Sequence, residues 1–167
     1  SLVGSEMCIR DSGCPGEEGA ATKAFMARDG VFKGVDIALS WHPNQLNSVW
    51  AFSTLANVRI HYFFKGVSAH AGTSPHLGRS ALDALLLAFQ AVEFLREHVP
   101  EDTRMHYTIS QSPGPVNVVP DTAVGVFSLR SYSRQKLDGV VERFLKIIQG
   151  AALMSDVTFD LSLIHIS

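Results

Sequence analysis

The order of apolar patterns after residue 56 constrains the fold of this 167-residue chain most strongly. Alternation of apolar and polar residues predicts strands with one buried face, and helical spacing of apolar residues predicts amphipathic helices. The predicted elements are, in order, a strand at 57–65, a helix at 79–98, strands at 105–110 and 123–132, a helix at 133–155 and a strand from 156.

This order predicts a mixed α/β fold of the split β-α-β-β-α-β type, also called ferredoxin-like, with a four-stranded antiparallel sheet and both helices on one face. Ser133 is a suitable N-cap for the second helix. The apolar stripe of the first helix is predicted to be core, formed by Leu82, Leu85, Leu86, Phe89, Val92 and Leu95.

A loop rich in turn residues connects the first predicted strand to the first helix. It contains three glycines, a proline and two histidines, which favour tight turns and end the strand. His70 therefore lies at the end of an element, where a side chain that titrates near neutral pH is useful for catalysis. From the local sequence alone, His70 is equally well read as a polar loop residue.

A second candidate site precedes this region. Glu17 and Glu18 are adjacent carboxylates in a Gly/Pro-rich loop, before a predicted helix at 20–29. A predicted buried strand at 35–41 ends at His42. Imidazole and carboxylate groups are zinc ligands, but a pair of glutamates is also a common solvated helix start, so these residues alone only suggest a metal site.

Composition excludes several classes of protein. The net charge of −2 and the lack of a basic run argue against a nucleic-acid partner. No apolar run reaches the length that spans a bilayer, which argues against a membrane protein. Cys8 and Cys14 are too few for a disulfide framework, and a reducing cytoplasm is the expected compartment.

Both ends of the chain differ from the sequence beside them. Residues 1–12 and 161–167 resemble translated sequencing adapters and are set aside from the fold prediction. The chain is then expected to be an internal fragment with two parts, residues 13–54 from a catalytic domain and residues 55–160 as a complete lid domain.

Several motifs together resemble those of the dimerising zinc amidohydrolases and exopeptidases, which include aminoacylases, carboxypeptidase G and indole-acetyl-amino-acid hydrolases. The matching segments are Gly-Cys-Pro-x-Glu-Glu-Gly, Trp-His-Pro, Phe-Lys-Gly-x-x-Ala-His-Ala, Ser-Pro-His-Leu-Gly-Arg-Ser-Ala-Leu-Asp-Ala and Asn-Val-Val. The resemblance covers about residues 13–160, and the long segment around His70 is its most specific part.

The resemblance implies a role for each candidate residue. Glu17 would be the general base that takes a proton from the attacking water, and Glu18 and His42 would be metal ligands. His70 would stabilise the tetrahedral oxyanion in the partner subunit's active site. The carboxylate of the substrate would be held by Asn117 and Arg130.

The resemblance also implies two divalent metal ions per site, zinc or else manganese or cobalt, and a homodimer formed through the lid. The substrates would be N-acyl or aroyl amino acids with a free carboxylate, such as p-aminobenzoyl-glutamate. A His-x-Asp or Cys-x-His ligand pair and a C-terminal histidine of the family are missing from this sequence. We therefore expect the 167 residues alone to be inactive. The alternatives are a non-catalytic dimerisation module and a family member that has lost its activity.

Overall fold

The structure is a computed structural model that describes residues 9–16, 21–50, 53–111 and 114–166, with side chains described up to residue 162. The chain divides into two compact units, Ser1–Trp50 and Ala51–Ser167. The assignment of residues 13–54 to a catalytic domain and of residues 55–160 to a lid stays a prediction.

The first unit contains one short helix among its described residues, α1 (Thr22–Arg28), which ends before Gly30 at a positive φ of 78°. The strand predicted at 35–41 is wrong, because these residues have no regular secondary structure and Ile37 and Leu39 are exposed. A strand buried on both faces needs neighbouring strands, and the described residues before Trp50 form none.

The second unit contains a four-stranded antiparallel sheet of β1 (Ala56–Lys65), β3 (Arg104–Gln111), β5 (Thr122–Ser131) and β6 (Thr158–Ile166). Their order across the sheet is β3-β5-β1-β6. A separate ladder is formed by β2 (Ala69–His70) and β4 (Val118–Val119). The strands β1 and β3 flank β5, so the first β-α-β unit is split by a strand inserted between its two strands. The predicted topology is therefore confirmed.

Two helices cover one face of this sheet, α2 (Ala81–Arg96) and α3 (Arg134–Met154). Each begins at a serine whose side-chain oxygen accepts a backbone hydrogen bond in the first turn. Alternate residues of the central strands meet the buried residues of both helices in one core. The largest fully buried side chains of this core are Tyr62, Phe64, Phe127 and Phe144. None of the helices in the described ranges has the length and hydropathy needed to cross a bilayer.

The buried stripe of α2 differs from the predicted one at Leu86, whose surface is 50% exposed. Small residues occupy the contact surface instead, since Ala81, Ala84 and Ala88 are fully buried. Together with Leu85, Val92 and Leu95 these alanines form one face of the helix, and at 3.6 residues per turn Leu86 lies about 140° around the axis from Ala81.

The residues set aside at the C-terminal end continue β6 alongside β1 as far as Ile166. An alternating apolar sequence can pair with any open sheet edge, because the ladder uses backbone groups only. The pairing is therefore compatible with a foreign origin of residues 161–167, which stays a prediction.

The hydroxyl of Tyr62 is buried and has no hydrogen-bond partner among the described residues, and burial raises the pKa of this group. We expect Tyr62→Phe to raise the free energy of unfolding by about 1 kcal/mol, because it removes an unsatisfied polar group and keeps the ring contacts. Urea denaturation measures the change, with Tyr132→Phe as the control, since Tyr132 is 63% exposed. A clear loss of stability in Tyr62→Phe alone would show that the hydroxyl is satisfied.

Candidate functional site

The loop that carries His70 leaves the sheet at Lys65 and returns to it at α2. Two backbone hydrogen bonds of 2.9 Å join Val67 and Arg79 across the base of the loop, one in each direction. The ladder of β2 and β4 then pairs His70 with Val118. The His70 loop is therefore closed at its base and paired with a second loop that precedes β5.

The side chain of His70 is exposed and has a defined orientation. Its Nδ1 accepts hydrogen bonds from the backbone N–H groups of Gly72 at 3.1 Å and Thr73 at 3.2 Å. A neutral imidazole that accepts at Nδ1 carries its proton on Nε2. The loop therefore presents Nε2–H as a hydrogen-bond donor, which is the group that an oxyanion requires.

Arg79 anchors the C-terminal side of the His70 loop. Its Nε donates to the carboxylate of Asp156 at 2.6 Å, and its Nη1 donates to the backbone oxygen of Gly78 at 2.7 Å. Asp156 follows α3 and has a positive φ of 53°. The loop is thus tied to the C-terminal end of the chain's last helix as well as to its own base.

Asn117 lies beside His70. Its backbone oxygen accepts a hydrogen bond of 3.0 Å from Ala71 N–H, and the next residue pairs with His70 in the ladder. The structure therefore brings these two predicted site residues together. It does so through the backbone of two adjacent loops, which the spacing of the residues in sequence does not reveal.

Arg130 lies at the other end of the sheet. Thr122 pairs with Lys65, next to the loops, whereas Arg130 is eight residues further along β5 and pairs with Asn57. At about 3.3 Å per residue, this places Arg130 roughly 25 Å from the loop end of the strand. A small substrate cannot contact both ends of one sheet.

The predicted metal ligands are not brought together in the described structure. Glu17 and Glu18 lie outside the described residues. His42 is exposed, with Nδ1 3.0 Å from the backbone oxygen of Pro43. The described ranges contain no group of three or more His, Cys, Asp or Glu side chains that could hold a metal ion. The described residues alone therefore form no metal centre, and the assignment of Glu18 and His42 as ligands stays a prediction.

Sequence reasoning missed the groups that orient His70. The backbone donors at Gly72 and Thr73 and the anchor at Arg79 carry no side-chain signature of catalysis. The one signal of the closed loop base in the sequence was the glycine at position 66. A Cβ on Gly66 would lie 1.9 Å from the backbone oxygen of Arg79, so only glycine allows the two stretches of chain to meet there.

Comparison with known proteins identifies relatives over most of the chain. Residues 52–154 match the peptidase dimerisation domain family. One of the p-aminobenzoyl-glutamate hydrolase subunits of Escherichia coli is 45% identical over 153 residues, which are 91% of this chain and 32% of that protein. The Xaa-Arg dipeptidase of Mus musculus is 27% identical over 150 residues, which are 89% of this chain and 34% of that protein. This chain spans about a third of the length of these curated relatives.

A solved structure agrees with the fold. The aminobenzoyl-glutamate utilization protein of Klebsiella pneumoniae superimposes with a TM-score of 0.59 and 28% sequence identity, over 68% of this chain and 29% of that protein. The resemblance to amidohydrolases and exopeptidases that the motifs predicted is therefore confirmed.

Gly66→Ala should destabilise the second unit by about 1–3 kcal/mol, because the new methyl group forces the backbone of Arg79 away. Gly139→Ala is the matched control, since a Cβ at Gly139 in α3 meets no atom within 4 Å. It should increase stability by about 0.5–1 kcal/mol through helix propensity. Urea denaturation of both variants measures the difference, and equal stabilities would contradict the close approach.

Proposed function

Because the chain belongs to the peptidase dimerisation domain family, we propose that it is part of a metal-dependent hydrolase that works as a homodimer. The reaction is hydrolysis of the amide bond between an acyl or aroyl group and an amino acid with a free carboxylate. The names of two relatives support this class, since one belongs to a p-aminobenzoyl-glutamate hydrolase and the other is an Xaa-Arg dipeptidase.

The fixed orientation of the His70 ring is the observation that best supports the proposal. Hydrolysis of an amide passes through a tetrahedral oxyanion, which a well-placed donor stabilises. Because the N–H groups of Gly72 and Thr73 donate to Nδ1, the opposite group of the ring, Nε2–H, can donate to the oxyanion without any movement of the ring. A rigid donor loses little orientational freedom when charge develops on the substrate.

His70 acts in the active site of the partner subunit. The separation of roughly 25 Å along β5 supports this assignment, because it prevents one substrate from reaching His70 and Arg130 of the same chain. If Arg130 binds the carboxylate of a substrate in one active site, the nearby oxyanion donor must come from another chain. Asn117 accompanies His70, since the two loops are joined by a backbone hydrogen bond.

The remaining roles belong to the longer protein. Glu17 would be the general base that accepts a proton from water, and Glu18 and His42 would be ligands of a divalent metal pair, zinc or else manganese or cobalt. A divalent ion held there would supply a water molecule of lowered pKa, about 7, for Glu17 to deprotonate. The ligands that the motifs of this chain lack would complete the pair, so the 167 residues alone should be inactive.

A non-catalytic dimerisation module is the second candidate. The match of residues 52–154 to a dimerisation domain family favours it. This candidate gives no reason for a donor loop held at Nδ1 by two backbone groups, and it predicts that the full-length protein has no hydrolytic activity.

His70→Ala in the full-length protein should lower kcat for p-aminobenzoyl-glutamate by roughly 100- to 1,000-fold, the usual loss for one oxyanion donor. Metal content by elemental analysis should not change, because no ligand is removed. His76→Ala is the matched control, since His76 is exposed in the same loop and has no assigned role. Unchanged kcat in His70→Ala would remove His70 from catalysis, and an inactive wild-type protein would favour the non-catalytic module.

A further inference from the structure

The connection between α3 and β6 contains a residue in an unfavourable backbone conformation. Asp156 has a φ of 53°, in the left-handed region that residues with a Cβ seldom adopt. It follows Ser155, the C-cap of α3, and its N–H donates to the backbone oxygen of Leu153 at 3.3 Å. The N–H of Val157 donates to the backbone oxygen of Ala152 at 3.0 Å. These two bonds form a Schellman motif, in which glycine is the usual residue at the left-handed position.

The charge of Asp156 is also unfavourable at this position. The C-terminal end of a helix carries a partial negative charge, so a carboxylate beside it is repelled. The last turn of α3 contains no basic residue that could offset this repulsion. Glycine would avoid both the strain and the repulsion. An aspartate in this place therefore indicates a role beyond the end of the helix.

Arg79, at the end of the His70 loop, contacts Asp156. Its Nε donates to the carboxylate at 2.6 Å. Its Nη1 donates to the backbone oxygens of Gly78 at 2.7 Å and His76 at 3.3 Å. One guanidinium group therefore joins the aspartate to two carbonyl groups in the last turn of the loop.

Consecutive hydrogen-bonded turns connect His70 to this arginine. The N–H of Ser74 donates to the backbone oxygen of His70 at 2.9 Å, and the N–H of Leu77 donates to the backbone oxygen of Ser74 at 3.1 Å. Leu77 ends a short 3-10 helix whose C-cap is Gly78, the residue that accepts from Arg79. A displacement of the arginine is therefore passed along these turns to the histidine.

Both ends of the His70 loop meet the same short connection after α3. Lys65, where the loop leaves the sheet, pairs with Thr158 in β6. Arg79, where the loop ends, contacts Asp156, two residues before Thr158. The ion pair therefore joins the two ends of the loop by a route that does not pass through the hydrogen bonds at its base.

We infer that Asp156 is a positioning residue for His70 and acts through Arg79. The inference rests on the oxyanion role of His70 in the proposed function. Asp156 touches no reacting atom in this role. It keeps the loop in the arrangement in which Gly72 and Thr73 donate to Nδ1 and the ring proton lies on Nε2. The contact with Arg79 then explains why position 156 has an unfavourable conformation and charge.

Asp156→Gly separates positioning from a merely structural role, because glycine suits the left-handed position and removes the carboxylate. Loss of a structural contact alone would lower stability and leave kcat unchanged. In the full-length protein we expect an unchanged or higher urea midpoint. The kcat for p-aminobenzoyl-glutamate should fall roughly three- to five-fold, the most that an exposed ion pair can contribute. KM should not change, because the lost interaction is made in the transition state.

A double-mutant cycle tests whether Asp156 acts through His70. In a His70→Ala background, Asp156→Gly should lower kcat no further, because the donor that it positions is already absent. Equal losses of kcat in both backgrounds would overturn the inference, and so would an unchanged kcat in the single variant.

Asp160→Asn is the matched control for this cycle. It removes another exposed ion pair of β6, with Lys65, and leaves the contact between Arg79 and Asp156 in place. It should keep the wild-type kcat. A loss of kcat equal to that of Asp156→Gly would overturn the inference, because any surface charge near the loop would then have the same effect.

Nitrogen-15 shifts of the His70 ring in the 167-residue chain test the positioning without any turnover. They are measured at about pH 8, where histidine side chains are largely neutral, and assigned by their loss in His70→Ala. A proton fixed on Nε2 separates the shifts of the two ring nitrogens widely. Asp156→Gly should bring them closer together, since a less constrained ring populates both tautomers.

Unchanged ring shifts in Asp156→Gly would overturn the inference whatever the activity of the protein. Converging shifts together with an inactive full-length wild-type protein would refute only the proposed hydrolysis, because the ring would still depend on Asp156 for its orientation.

Discussion

The antiparallel pairing of β1 with β5 determines where every candidate group of the second unit lies. The two strands pair over ten residues without a register shift, from Ala56 with Ser131 to Lys65 with Thr122. A slip of one residue would turn Tyr62 and Phe64 toward solvent and bury Arg59 in their place. The helices on one face stabilise this register, because they bury only one of the two sets of alternating side chains.

The same strand pair separates two kinds of chemistry. At one end, the backbone at Gly66 lies so close to that of Arg79 that only glycine fits there, which closes the base of the His70 loop. Two backbone N–H groups in this loop donate to the His70 ring and orient it. At the other end, cross-strand neighbours gather arginines on the open face. If both ends serve one reaction, two chains are needed to bring them to one active site, since the strand is long relative to a small substrate. On this account, dimerisation is a requirement for catalysis.

The sequence predicted the sheet and its helices because alternation and helical spacing are local properties, as at 57–65 and 133–155. It failed at 35–41, since the same apolar run needs partner strands that the described part of the first unit lacks. Leu86 was placed in the core because hydropathy does not show that alanines can form a helix contact. His70 was found from its motif, whereas its position beside Asn117 was not, because that contact joins two loops that are far apart in sequence.

Subunit complementation in the full-length protein tests most directly whether the two ends of one sheet serve different active sites. His70→Ala and Arg130→Ala proteins are mixed, allowed to exchange subunits, and assayed at a substrate concentration well below KM. In each mixed dimer, one site then contains Arg130 of the first chain and His70 of the second. The account predicts that hydrolysis reappears in the mixture although each variant alone is nearly inactive. Verified exchange without any return of activity would contradict it, since both side chains would then have to come from the same chain.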